Sequence, residues 1–144
     1  MATPHSLKLL LEHAHKQTND AAIHLGKLNL KQQEAETTLQ LLVEYRENYQ
    51  TQFMESAGNG INPIEWRNFK AFICKLDTAI QAQQKLVALT QQHTEAGSQQ
   101  YRSQRKKLKS YLDKCIEHNR KLEITDELGC NNRTGILSIL EDEM

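Results

Sequence analysis

The sequence predicts an all-α protein, a long two-helix antiparallel coiled-coil hairpin. Three observations indicate this fold class. A seven-residue apolar repeat occupies the first third of the chain. It is interrupted once by GNGINP at residues 58–63 and then resumes. Glycine, asparagine and proline in that order are typical of a tight turn. Two helices separated by a single turn bury their apolar stripes most simply by packing against each other.

The first helix is predicted from about residue 4 to residue 56. Between Leu7 and Phe53, alternating steps of four and three residues reach fourteen positions, of which eleven are apolar. A repeat that is sustained over this length requires a partner helix in a left-handed supercoil. These fourteen positions are the predicted seam of helix one.

The turn is predicted at residues 57–63 and the second helix at about residues 63–125. Asn62 is the expected N-cap and Pro63 the first helical residue. Every seventh residue from Trp66 to Leu122 is apolar in eight cases of nine. Antiparallel pairing of residues whose numbers sum to about 122 places small side chains against large ones, as interdigitated packing requires. Gly26 and Gly97 fall at one level, where they would allow close approach or form a flexible joint.

The remaining residues, 126–144, are predicted to form an irregular acidic tail outside the 1–125 hairpin. Gly129 and Gly135 interrupt the helical pattern, and the chain ends in Glu141-Asp142-Glu143-Met144. Disorder and a short docking helix over residues 136–144 both fit this composition.

The composition limits the function classes. Only 38% of the residues are hydrophobic and 6% aromatic, which argues against a large core, and 18 basic residues balance 18 acidic ones. No overall field therefore attracts nucleic acid or anionic lipid. The apolar runs are too short to cross a bilayer or to serve as a secretory signal. We expect a cytoplasmic protein without direct membrane insertion.

The sequence shows no pattern typical of catalysis. Its three cysteines include no CxxC pair, and its six histidines lack the spacing of a metal site. Phosphate-binding loops and nucleophile motifs are absent. We expect a non-enzymatic protein without metal or cofactor.

The two flanks of the predicted hairpin differ near the turn. In heptad notation, abcdefg with the seam at a and d, the g positions of one flank carry Thr38, Tyr45, Phe72, Ala79 and Leu86, whereas the e positions of the other flank are mostly polar. Tyr45, Phe72 and Ala79, together with the bordering seam residues, form what we call the aromatic strip: Leu42, Tyr45, Tyr49, Phe72, Leu76 and Ala79. A partner-binding surface and a widened two-helix core both explain such a strip.

A basic segment follows on the half of helix two far from the turn. It consists of Arg102, Arg105, Lys106, Lys107 and Lys109, with Lys114 beyond them. The interleaved Tyr101, Leu108 and Tyr111 occupy seam positions, where they cannot stack on bases. A solvated or protein-docking face is therefore favoured over a nucleic-acid interface, and a nucleic-acid-binding hairpin remains the weaker alternative.

Several local motifs make the chain resemble the flagellar FliJ proteins. The resemblance covers about the first 85 residues, and the spacing across the turn is its most specific part. The residues that carry it are Asp20-Ala21-Ala22, Leu25-Gly26, Tyr45, Tyr49, the GNGI of residues 58–61, Trp66, Asn68, Phe72-Ile73, Leu76 and Ala79-Ile80.

This resemblance implies a component of the bacterial flagellar type III export apparatus, peripherally associated with the inner membrane through that apparatus. Its implied partners are the export ATPase and its regulator, the membrane export gate and export chaperones. It would place the gate contact on the aromatic strip and an ATPase-ring contact on the basic segment. A virulence-secretion stalk, a general coiled-coil adaptor and a homodimer formed through the same seam are the alternatives.

Overall fold

The computed structural model describes residues 4–125 and shows two helices joined by one turn. Helix α1 comprises Pro4–Ala57 and helix α2 comprises Pro63–Thr125, and no strand occurs in this range. The helices pack against each other antiparallel, as contacts such as Thr18 with Gln104 and Leu28 with Thr94 show. The predicted all-α hairpin is therefore confirmed. The predicted tail at 126–144 lies outside the described residues.

The turn between the helices depends on Gly60 and Asn62. Gly60 has a φ of 98°, a left-handed conformation that residues with a Cβ adopt only with strain. Its N–H donates to the carbonyl of Ala57 at 3.0 Å, which closes the end of α1. The Asn62 side-chain oxygen accepts from the Ile64 N–H at 3.0 Å, so Asn62 caps α2 as predicted.

The chain divides into two compact units, and Leu25–Gly97 is the one that contains the turn. Its core is a run of side chains at heptad spacing, of which Ala35, Phe69, Leu76, Ile80 and Val87 are buried. Polar seam residues bond to the backbone of the facing helix. The Gln83 amide donates to the Ala35 carbonyl at 3.0 Å, which satisfies a polar group inside the seam.

The second unit combines Met1–His24 with Ser98–Met144. Within its described part, Leu7, Leu11, Ala14 and Ala21 of α1 are buried, and so is Thr18. The Thr18 hydroxyl lies 2.8 Å from the Ala14 carbonyl oxygen and 3.3 Å from that of Gln104. A polar residue in the seam is thus satisfied by the backbone of both helices.

The two glycines inside the helices have different surroundings. A Cβ on Gly97 would come within 2.6 Å of the Leu28 Cδ1, whereas a Cβ on Gly26 would meet nothing within 4 Å. Gly97 occupies a seam position, where its missing side chain makes room for Leu28. Gly26 is exposed beside the seam residue Leu25. Of the two roles predicted for this pair of glycines, close approach is met at Gly97 and not at Gly26.

The helices carry no stretch of the length and apolarity that a bilayer-spanning helix needs, as far as residues 4–125 are concerned.

Candidate partner-binding surface

Tyr45 is the centre of the aromatic strip. It lies on α1, and its ring contacts the Tyr49 ring one turn later, with centroids 6.5 Å apart. The Phe72 ring of α2 contacts the Tyr45 ring edge-on, with centroids 6.1 Å apart. Despite these two contacts, 52% of the Tyr45 surface stays exposed. The structure thus brings Tyr45 and Phe72 together on one flank, as the heptad positions predict, and leaves Tyr45 accessible.

The other members of the strip differ in burial. Leu76 is only 8% exposed and belongs to the core of its unit. Tyr49 and Phe72 are half-buried, with ring centroids 4.6 Å apart, and Leu42 is also half-buried. Ala79 is exposed, seven residues and therefore two helical turns beyond Phe72. The accessible part of the strip is consequently the surface formed by Tyr45, Ala79 and the outer edge of Phe72.

An ion pair lies on the opposite flank of the same level. The Arg46 Nε lies 2.5 Å from an Asp77 carboxylate oxygen, and its Nη2 lies 3.5 Å from the other. Arg46 also donates to the Gln50 side chain at 3.3 Å. Arg46 is one of the three polar positions in the predicted seam of helix one, and the apolar repeat gave no sign of this pair. Asp77 could have indicated the ion pair, because it lies on the e flank and faces Arg46 in the predicted register.

An aromatic stack extends from the strip toward the turn. The rings of Phe53 and Phe69 are parallel with centroids 3.9 Å apart, and Trp66 lies within about 6 Å of both. The Lys70 ammonium lies 5.5 Å from the Trp66 ring centroid, on the face of the ring. Phe53, Trp66 and Phe69 occupy seam positions, but the sequence did not predict that their rings stack on one another. Their stacking anchors the turn end of the unit, so the strip lies on a preorganised support.

The basic segment is exposed along α2. Arg102, Arg105, Lys106, Lys107 and Lys109 all have exposed side chains, and none forms an ion pair with a carboxylate among residues 4–125. The interleaved aromatic and leucine side chains, Tyr101, Leu108 and Tyr111, are half-buried, so they are not free to stack on bases.

Acidic residues share the groove beside the basic segment. Lys106 and Lys109 line an open groove that also includes Asp113 and Glu117. The charges there have both signs, so the groove is not a dedicated anion pocket. The exposed cations instead form a face that suits a negatively charged protein surface.

The thiols and acidic side chains of residues 4–125 form no group that could hold a metal ion. Cys74 is exposed and Cys115 is half-buried, and both are free thiols. Burial raises the pKa of the Cys115 thiol above its usual value, because the thiolate loses solvation. Leu112 is buried although it lies outside the predicted seam, four residues after Leu108.

A family model described as "Flagellar FliJ protein" matches residues 4–127. A flagellar FliJ protein of Salmonella typhi is 29% identical over 111 residues, which cover 77% of this chain and 76% of the relative. A flagellar FliJ protein of Escherichia coli K12 is 35% identical over 92 residues, which cover 63% of each. The comparison with solved structures found no match.

The family match extends over both described helices and the turn between them, and it agrees with the resemblance carried by the turn and by the aromatic strip. The chain therefore belongs to the flagellar FliJ protein family.

Proposed function

We propose that this chain is a non-enzymatic coupling protein that links the export ATPase to the membrane export gate and escorts export chaperones. Its family makes it a component of the flagellar export apparatus, and the coupling role is the inference added here. In this account the aromatic strip binds the gate and the basic segment binds the ATPase ring. Peripheral association at the inner membrane would then follow from these protein contacts.

The exposure of Tyr45 carries the proposal. A two-helix core that merely recruited an extra aromatic residue would bury it, yet Tyr45 keeps about half of its surface open beside Phe72. Tyrosine in a preorganised apolar surface is a common hot spot of protein interfaces. Since Tyr49 and Phe72 already pack against it, Tyr45 would lose little conformational entropy on binding.

The basic segment supports the ATPase contact through charge. Five exposed cations on adjacent turns of α2 lack carboxylate partners among the described residues. Such a cluster speeds encounter with an acidic surface, and its effect falls with ionic strength.

The gate contact is tested with Tyr45→Ala combined with Ala79→Gln, because both positions are exposed and both new residues favour helix. The matched control is Gln84→Ala with Gln91→Ala, exposed residues on the opposite flank. Binding to purified export gate should weaken at least about tenfold for the strip variant, the scale of a hot-spot residue. Circular dichroism should show unchanged helicity. Equal binding by the strip variant and the control would overturn the assignment.

The ATPase contact is tested by neutralising Arg105, Lys106 and Lys109 to glutamine. Lys16→Gln with Lys27→Gln, exposed lysines of α1, serves as the control for charge removal. The basic-segment variant should lose binding to the export ATPase at low salt, and the wild-type affinity should decline as salt is raised. Salt-independent binding that survives the neutralisation would remove the basic segment from the proposal.

A further inference from the structure

Exposed leucines continue the apolar surface beyond the aromatic strip, within the same unit. On α1, Leu41 lies one turn before Tyr45 and is 60% exposed. On α2, Leu86 lies two turns after Ala79, and Leu89 follows one turn later. Each of these two is 45% exposed. We call Leu41, Leu86 and Leu89 the leucine extension. No function proposed above requires these leucines to be on the surface.

The spacing of these residues indicates the shape of their occupant. Phe72, Ala79 and Leu86 recur every seven residues along α2, outside the seam that binds α1. A helix with an apolar g position in addition to a and d is typical of a bundle, in which it packs against two neighbours. From Phe72 to Leu89 the surface is about 26 Å long at 1.5 Å per residue. A partner helix of roughly 17 residues would cover it.

The opposite flank of the same helix pair is polar. There Arg46 and Asp77 form their ion pair, and the exposed e positions of α2 at the levels of Leu86 and Leu89 are glutamines, Gln84 and Gln91. The two helices therefore offer a third helix only one apolar side. One partner helix on that side would cover the exposed apolar residues of both helices.

The charges at the margins also favour a protein over a lipid surface. Lys75 is exposed between the levels of Phe72 and Ala79, and Glu34 is exposed two turns before Leu41. Neither forms an ion pair with another described residue. A margin with one positive and one negative charge does not attract anionic lipid, whereas a helix with an acidic residue near Lys75 and a basic one near Glu34 would match both.

We propose that the aromatic strip and the leucine extension together bind one amphipathic helix of the export gate, which completes a three-helix bundle with α1 and α2. The inference rests on the proposed function, since the gate is the partner assigned to the strip. It adds the kind of segment recognised, its length and three further contact residues. Apolar anchors at seven-residue intervals would specify that segment.

The test uses the full chain with Leu86→Gln and Leu89→Gln, again beside the Gln84→Ala and Gln91→Ala control. Glutamine is compatible with a helix, and both leucines are partly exposed, so the variant should fold. Binding to purified export gate should weaken about tenfold or more, and the control should bind as wild type does. Hydrogen exchange in the wild-type complex should slow over one continuous gate segment of about 17 residues.

Each outcome distinguishes the two proposals. If Tyr45→Ala with Ala79→Gln weakens binding and the leucine variant does not, the gate contact stands and the extension is wrong. If neither variant weakens binding, both proposals fail. Protection scattered over several gate loops would overturn the helical occupant. Sedimentation that shows a dimer of this chain, lost in the leucine variant, would identify a second copy as the occupant and overturn the inference.

Discussion

Arg46 of α1 and Asp77 of α2 form an ion pair, with 2.5 Å between the Arg46 Nε and an Asp77 carboxylate oxygen. The pair lies on one flank of the helices, and Tyr45, the residue before Arg46, meets Phe72 on the other. Tyr45 and Arg46 are successive residues of α1. Tyr45 belongs to a flank with exposed apolar side chains, and Arg46 pairs with a polar flank. This difference between flanks is the structural basis for assigning the binding surface.

The ion pair should contribute modestly to stability, because its side chains are 31% and 47% exposed. A double-mutant cycle with Arg46→Met and Asp77→Asn should give a coupling free energy of about 0.5–1 kcal/mol, reduced by salt. Urea unfolding monitored by circular dichroism at low and high salt measures it. A coupling that exceeds about 3 kcal/mol, the scale of a buried pair, would contradict the solvent-exposed geometry.

The two helical glycines should respond oppositely to alanine. Gly26→Ala adds a Cβ in open space, so it should stabilise the protein by roughly 0.5–1 kcal/mol through helix propensity. Gly97→Ala must displace the Leu28 side chain, and overpacking of this kind costs about 1–3 kcal/mol. Thermal unfolding should therefore rank Gly26→Ala above wild type and Gly97→Ala at or below it. Equal stabilisation by both substitutions would show that the helices are farther apart at Gly97.

The aromatic residues should separate into core and surface by their effect on stability. Phe69 is 7% exposed and stacks on Phe53, so Phe69→Ala should cost about 3–5 kcal/mol. Tyr45→Ala removes a half-exposed ring that stacks on Tyr49 and meets Phe72 edge-on, and it should cost about 1 kcal/mol. Denaturant titration of both variants compares them directly. A cost for Tyr45→Ala that matches that of Phe69→Ala would assign Tyr45 to the core.

Thiol reactivity should distinguish Cys74 from Cys115. The thiolate is the reactive form, and burial raises the pKa of Cys115, so a smaller fraction of its thiol is ionised at any given pH. In a Cys130→Ser background, a disulfide reagent at neutral pH should modify exposed Cys74 first and Cys115 in a slower phase. The slower phase should accelerate as the pH is raised, because the thiolate fraction of Cys115 increases. Removal of Cys74 should abolish the fast phase; its persistence would contradict the assignment.

The register of the hairpin could be predicted from the sequence because heptad packing restricts it. The cross-helix neighbours Thr18 with Gln104, Leu28 with Thr94, and Phe53 with Phe69 all lie on the predicted register. The positions of Gly60 and Asn62 at the turn followed from their backbone preferences. These features depend on periodicity and on local conformation, both of which are present in the sequence.

Other features depend on how far each side chain leans from the seam, which periodicity does not specify. Leu76 and Tyr45 belonged to one predicted strip, yet the first is in the core and the second is exposed. The Arg46–Asp77 pair required knowledge of side-chain direction. Leu112 is buried at a position that the repeat assigns to the margin. The exposed Leu41 and Leu89 lie at outer heptad positions, where the repeat does not distinguish binding residues from solvated ones.

The central claim is that the open flank at Tyr45 meets the export gate while the flank of Gln84 does not. Photo-crosslinking from each position in turn, in motile cells that carry the export apparatus, tests it most directly. We expect a crosslink to the gate protein from residue 45 and none from residue 84. Crosslinks of equal yield from both positions, or a gate crosslink from residue 84 alone, would contradict it.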